Sequence, residues 1–394
     1  MIKELSRLIN NYPIESSIII FFAGIISTFL LEKLLEKVIS KYKTNRLKKK
    51  LRKSSLKSMN NGDVFALAHG TPFWKAEDVE VLNSKKKLIV VIPEKFKEKF
   101  LSNDSNFKFR DSIYFDSEYS MEDSISEMGI PDLRERIERH SNIVAEELLK
   151  KQTAGRLVFN GEMLGVFDIR PINVNQEEYR KLKIRTYETD FFTYRVFASI
   201  YRELKEQGHA ISQVTKREQI IKYKPFLSSF GLCTFVMLYN QTEVVLAKRS
   251  LYTTHSENKW HFSMNEAFSQ TDFDYNKQPD LFNCHVRGLE EELNINPKIS
   301  KKTIYFFDVI FSREKFEMGI TSLIYLPDFA FEDLEFFYSC AKDGEVETDG
   351  LDIIRAGKKE VKRFMKENEM TNGAKLALQL LLARVLNDKM PPYN

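Results

Sequence analysis

Cysteine is scarce in this chain of 394 residues: only Cys233, Cys284 and Cys340, odd in number and far apart. That excludes a disulfide framework. No Cys-x-x-Cys and no paired-histidine spacing accompanies them, so they do not form a structural zinc pattern. They fit small buried apolar side chains in a reducing compartment. Tryptophan is limited to Trp74 and Trp260, for which the default reading is core. There is no internal repeat, and no catalytic motif precedes residue 224. Acids are missing altogether between Glu36 and Asp63, a stretch that carries ten Lys and Arg from Lys37 to Lys57. The first 62 residues hold thirteen Lys and Arg against four acids. The whole chain is +4, so the remainder is net acidic by five charges. The basic pI of about 8.6 therefore belongs to one tail, and composition gives no reason to expect nucleic-acid duplex binding by the globular part.

The chain does have ample material for a core. Aromatic residues make up 12% and charged residues of both signs 29%, which suits a soluble surface over a packed interior. Its length accommodates a membrane segment plus one large or two small domains. Ser16–Leu31 (SSIIIFFAGIISTFLL) contains no charge and continues through Leu34, Leu35, Val38 and Ile39. It is slightly short of the ~20 residues of a full span, but Lys33 and Lys37 can snorkel. No small-x-small cleavage site comes after it, and the run passes into an amphipathic helix, which favours a retained anchor over a cleaved signal. The cations on its C-terminal side place the rest of the chain in the cytoplasm and on anionic headgroups. Gly24 and Thr28 form a small-xxx-small pair, and the apolar pairs recur every four residues beyond it. Self-association or a stripe resting on the bilayer would each explain this.

In the middle region, Asp63–His69, Val79–Leu82 and Leu88–Pro93 read as strands. Pro131–Lys151 has helical periodicity through Leu133, Ile137, Ile143, Val144 and Leu148. Arg156–Phe167 reads as a hairpin turning at Asn160-Gly161, and Thr189–Leu204 as an aromatic-rich helix. His69 and Asp168 are polar candidates, although a lone histidine beside a turn is usually structural. The charged segment Lys205–Lys224 then separates this region from the C-terminal part of the chain.

From Phe230 the pattern changes. Leu232–Tyr239 and Glu243–Lys248 are strands joined at Asn240-Gln241-Thr242. Lys259-Trp260-His261-Phe262-Ser263-Met264-Asn265-Glu266 comes next, then a loop of about fifteen residues and a helix over Asp280–Leu293. Ile304–Phe311 and Ile320–Leu326 add strands, and Lys375–Leu386 a closing helix. Within the first helix stands Arg287-Gly288-Leu289-Glu290-Glu291-Glu292-Leu293-Asn294-Ile295. Arg287 and Glu291 are four apart and can pair, while Gly288 and Glu292 share the adjacent face.

This order resembles the Nudix family over roughly residues 225–390. The family's box ends in Arg-Glu-apolar-x-Glu-Glu-x-Gly-apolar. It is matched at Arg287, Leu289, Glu291, Glu292 and Ile295, and departed from at Gly288 (Glu in the family) and Asn294 (Gly). Trp260 matches the common tryptophan, and Ser263-Met264-Asn265 replaces Pro-Gly-Gly. The resemblance implies carboxylates that hold Mg²⁺ against a diphosphate. Two of the three are retained, Glu291 and Glu292, and they are the metal ligands if an ion is bound. Glu266, Asp272 and Asp274 are candidates to replace the third. Trp260, Arg287, Arg249, Lys248 and Glu266 are the candidate ligand-binding residues.

The fold class expected is α/β (α+β): a Nudix-like mixed sheet between helices, after a single transmembrane helix and a smaller α/β region. The divisions are an anchor over 1–40, a basic neck over 41–62, an α/β region over 63–224 and the Nudix-like domain over 225–394. This domain order is similar to that of the transmembrane–Nudix effectors of CBASS antiphage systems. The similarity implies a single-pass protein of the bacterial inner membrane whose cytoplasmic domain binds a cyclic nucleotide, oligomerises and disrupts the bilayer. An active, membrane-tethered Mg-dependent pyrophosphohydrolase of nucleoside diphosphate derivatives is the alternative. A protein-binding scaffold ranks third.

Overall fold

The computed structural model describes residues 31–36, 38–39, 41–53, 63–105, 107, 109, 121–156, 158–173, 180–238, 243–250, 258–295, 301–326, 329–341 and 348–386. The chain divides into two units, Met1–Lys50 and Leu51–Asn394. In the first, residues 31–36, 38–39 and 41–50 are helical. Leu31, Leu34, Leu35, Val38 and Ile39 are 47–65% exposed, so this apolar stripe is unburied within its own unit. The run from Ser16 to Leu30 lies outside the described residues. Among the described residues, no helix is long and apolar enough to cross a membrane.

The second unit is built on two sheets. Its strands are β1 (Val64–Lys75), β2 (Val79–Lys87), β3 (Glu162–Asn173), β4 (Arg180–Asp190), β5 (Phe230–Leu238), β6 (Glu243–Arg249), β7 (Trp260–His261), β8 (Met264–Ala267), β9 (Ile304–Ser312), β10 (Glu317–Leu326) and β11 (Thr348–Arg355). The main helices are α1 (Glu94–Asn103), α2 (Leu133–Thr153), α3 (Phe191–Glu206), α4 (Leu281–Leu293), α5 (Phe331–Tyr338), α6 (Lys358–Glu367) and α7 (Asn372–Val385). Among the described residues the larger sheet has eight strands in the order β1-β9-β10-β5-β6-β11, with β7 on β6 and β8 on β5. Only β10 and β5 run parallel in it. The smaller sheet is β2-β4-β3.

Burial explains the strand order. β5, β9 and β10 are apolar along nearly their whole length and buried on both faces, as central strands covered on two sides must be. Thr234 on β5 bonds Ser322, which bonds His285 of α4. The next residue, Phe235, packs on Phe262 and Phe307, beside Arg384 of α7. Successive strand residues face opposite ways, so α4 and α7 cover opposite faces. The sheet is mixed and lies between helices.

The larger sheet crosses position 225, where the sequence suggested a division. β1 pairs with β9, and its irregular turn is held from the far end of the chain. Arg384, fully buried, donates to Pro72, Gly70, Phe307 and Leu380 carbonyls and to both oxygens of Asp308. His69 Nδ1 lies 2.6 Å from Asp308 Oδ1, which gives His69 a structural partner.

Two local expectations differ from the structure. Asn160-Gly161 does not turn a hairpin. Asn160 accepts from Phe192 N and donates to Asp190, and Gly161 accepts from Phe191 N, so the pair caps α3 while β3 pairs with β4. Leu88–Pro93 is extended but outside any ladder. Its backbone is tied by Leu88 N to Glu188 O and Val90 N to Thr193 Oγ1. In α2, Leu133, Ile137, Val144 and Leu148 are buried as expected, whereas Ile143 is exposed.

Candidate functional site

The candidate site is organised by α4. Asp280 caps its start, accepting from Phe282 N at 2.8 Å. Its end is set by Asn294 at φ 51°, the left-handed conformation a C-terminal glycine usually supplies. Asn294 N donates to Glu290 O and Ile295 N to Leu289 O. Asparagine tolerates this region, so the change from the family's glycine is conformationally silent.

Gly288 is different. A Cβ there would meet Glu266 Cγ at 2.5 Å and Met264 Sδ at 2.6 Å. The space that a side chain at 288 would need is filled from β8. Glu266 instead turns its carboxylate to Arg287, with Oε2 2.6 Å from Nη1. Arg287 Nη1 also donates to Glu291 at 3.1 Å, Nε and Nη2 to Asp272 at 2.8 and 3.0 Å, and Nη2 to Ala267 O at 2.9 Å. One guanidinium thus holds three carboxylates. Glu292, mostly buried, accepts from Asn265 N at 3.1 Å.

The charges respond to this crowding. Burial raises the Glu266 carboxyl and the charge of Glu291 adds to that, while Arg287 opposes both. Burial, then Asp272 and Glu266, push the Cys284 thiol well up. Burial pushes Cys233 up to about 12. Both thiols are buried.

The strand pair before α4 shows what Ser263 does. β5 and β6 separate beyond the Met237–Val244 pair, and Ser263 fills the gap. Its hydroxyl accepts from Val236 N at 2.7 Å and donates to Val245 O at 2.5 Å, fully buried. A side chain here performs the work of a ladder hydrogen bond.

Beside α4 opens a cleft of about 560 Å³, whose lining includes Thr271, Asp272, Asn283, Arg287, Glu290, Glu291, Asn294 and Cys340. Of the residues proposed from sequence, Arg287, Glu266, Glu291 and Glu292 come together. Asp272 joins them. Asp274 does not, since it caps a turn by accepting from Asn276 N and Gln278 N.

Trp260, Lys248 and Arg249 belong to another part of the sheet. Trp260 packs edge-on against Phe364 of α6 and donates to Asn368 Oδ1. Lys248 pairs with Trp260 and Gly350, and Arg249 with Thr348. The tryptophan is therefore half-buried packing for α6, not the core residue expected, and it does not line the cleft. Reading the sequence missed the role of Ser263. It also missed that Asp272 is held in place by a capping box, Ser269 N donating to Asp272 Oδ2; the Ser-x-x-Asp spacing was the signal for it.

A divalent cation, which the Nudix resemblance implies, would have to displace the protein partners that these acids now hold. Among the described residues no group of three or more His, Cys, Asp or Glu is placed to hold one. The family's third carboxylate is absent, and its space is closed by Glu266 and Met264. The acids that remain are engaged by Arg287 and Asn265 N.

No family profile and no curated protein matches the chain. Similar solved structures include DR0079 from Deinococcus radiodurans, 12% identical, covering 39% of this chain and 82% of that one with a TM-score of 0.26. The NUDIX domain of Shewanella oneidensis NrtR, complexed with ADP ribose, is 10% identical over 40% and 87% of the two chains, TM-score 0.27. A MutT/nudix family protein from Enterococcus faecalis is 14% identical over 41% and 73%, TM-score 0.21.

Proposed function

We propose that this chain is a nucleotide sensor built on a Nudix-like domain that does not hydrolyse its ligand, and that it acts at a membrane as a CBASS-type effector. The observation that carries the reading is the closure of position 288. With Glu266 over Gly288 and Arg287 spent on three acids, the α4 cleft keeps its volume while its acids are held by protein groups. Asn283, Asn294 and Thr271 offer donors and acceptors for a base and ribose. Arg287 is the cation that faces the cleft, and Glu291 is its longest and most exposed contact among the three acids. A ligand phosphate that displaces Glu291 would gain one charge-assisted hydrogen bond from Arg287 Nη1.

The exposed stripe from Leu31 to Ile39, continuing the uncharged run from Ser16, supports membrane attachment, with the basic stretch after it on the cytoplasmic side. In this reading a cyclic nucleotide binds, protomers associate, and the anchors together disrupt the bilayer. The test is a panel of cyclic di- and trinucleotides titrated calorimetrically into the full chain in detergent, alongside dye leakage from loaded vesicles. Binding of one ligand, with leakage that depends on it, is expected. Silence in both measurements overturns the reading.

Glu266, Glu291 and Glu292 gathered around one helix favour a second reading, that of a membrane-tethered pyrophosphohydrolase. Mg²⁺-dependent release of phosphate products from nucleoside diphosphate derivatives, abolished in Glu292→Gln, would establish it over the sensor.

A further inference from the structure

The strongest unassigned feature is the outer face of α6. Val361 and Phe364 are buried, and Phe364 lies against Trp260. That leaves Lys358, Lys359, Lys362, Arg363 and Lys366 exposed on the other side. They stand at i, i+1, i+4, i+5 and i+8, a single stripe about 12 Å long at the helical rise of about 1.5 Å per residue. None of the five forms an ion pair or side-chain hydrogen bond with a described residue. Three like-charged pairs, 358/362, 362/366 and 359/363, lie four residues apart, where such pairs destabilise a helix. Helix α2 does the opposite. Lys150 pairs with Glu146, and Arg136 and Arg139 converge on Glu203.

We infer that this stripe is a contact surface for anionic phospholipid headgroups. Charge complementarity selects an anionic partner. Two observations favour a bilayer over a nucleic acid. Phe364, the aromatic ring of α6, is buried, so the stripe presents no platform on which bases could stack. Residues 63–394 are net acidic, so attraction is confined to contacts within a Debye length, about 8 Å at physiological salt. A flat sheet of headgroups provides such contacts along the whole stripe. The inference rests on the membrane reading above and adds to it a second attachment, on the α/β unit itself.

The test is lysine footprinting of the full chain. Protein is mixed with vesicles of neutral phosphatidylcholine, or of phosphatidylcholine with about 30% phosphatidylserine, floated, acetylated and analysed by mass spectrometry. On anionic vesicles, acetylation of Lys358, Lys359, Lys362 and Lys366 should fall about fivefold or more, with exposed Lys277 unchanged. About 0.5 M salt should restore it. Lys359→Gln/Lys362→Gln/Arg363→Gln, on an exposed face where folding is not at issue, should abolish the protection of Lys358 and Lys366. Flotation on neutral vesicles with no added protection on anionic ones overturns the stripe and leaves the anchor standing. No flotation on either overturns both. Protection by single-stranded DNA and not by anionic vesicles also overturns it.

Discussion

Removing Arg287 tests the central claim about the site most directly. In Arg287→Met the apolar stem is kept, while Asp272, Glu266 and Glu291 lose their shared cation. Asp272 is 1% exposed and Glu266 13%, whereas Glu291 is 32% exposed and Arg287 itself 24%. Truncating one partner of a buried pair costs about 3–5 kcal/mol, and an exposed contact such as that to Glu291 costs about 0.5 kcal/mol. Because Arg287 is partly solvated, the lower figure applies, and about 3 kcal/mol is expected at pH 7. That is roughly a hundredfold in the unfolding constant. Urea unfolding of the full chain, followed by circular dichroism, measures it. Arg287→Lys should recover little, since an ammonium cannot reach three carboxylates in the geometry of a planar fork. The deficit should shrink as pH falls, because the freed acids neutralise themselves, with Glu266 first since burial already raises it. A loss below about 1 kcal/mol, or a deficit that grows in acid, would refute the view that one guanidinium holds this cluster together.

Gly288→Glu, which restores the family's residue, should destabilise by about 1–3 kcal/mol through overpacking and produce no Mg²⁺-dependent hydrolysis; adding Glu266→Ala should recover most of the loss in the same unfolding assay. Ser263→Ala should cost about 3 kcal/mol, because Val236 N and Val245 O are left buried without partners, and amide exchange at Val236 should accelerate. Arg384→Met should cost about 3–5 kcal/mol and open the Gly70–Phe73 turn to limited proteolysis. In acid, stability should fall in two steps. Burial pushes the His285 imidazole down to about 4, against the Leu281 carbonyl and Asp280. The unfolded chain protonates first, so about 3 kcal/mol is lost between pH 6.5 and 4, and His285→Gln removes this step. Burial would raise Glu203, but Arg139, His140 and Arg136 hold it at about 2, so its contribution is present above about pH 4.5 and disappears as pH falls toward 2.

Where an element's fate is local, the sequence was readable. β5, β9 and β10 are long apolar runs, and α4 is bounded by Asp280 and Asn294, whose side chain and backbone preference act within the same turn. What could not be read depends on partners far along the chain. β1 joins the larger sheet through residues some 240 positions away, and its turn is fixed by Arg384. Asn160-Gly161 carries a hairpin signal, but Asp190 and the first amides of α3 compete for it and win. β4 was legible and overlooked: Leu182 and Ile184 are buried between Lys181, Lys183 and Arg185, the alternation of a strand with one wet face. In the site, the Arg287–Glu291 pair followed from spacing. Glu266 did not, because only the return of β8 beside α4 brings it over Gly288.

The two departures from the Nudix box therefore have unequal consequences. Asn294 keeps the left-handed backbone that ends α4 and changes nothing nearby. Gly288 leaves space on the helix that Glu266 fills from a strand, aimed at an arginine. Three acids, Glu266, Asp272 and Glu291, then share one cation, Arg287, and Glu292 is held beside them by Asn265 N. In the proposed sensor reading, an anionic ligand entering this cleft meets these acids, so its binding proceeds by exchange. The contact to give up is the one to Glu291, the longest of the three and the most exposed. Removing that competitor by Glu291→Ala makes the site less negative and frees one donor of Arg287, leaving the contacts to Asp272 and Glu266 in place. In the same proposed reading, a nucleotide's phosphate would meet Nη1 and its base Asn283 and Asn294.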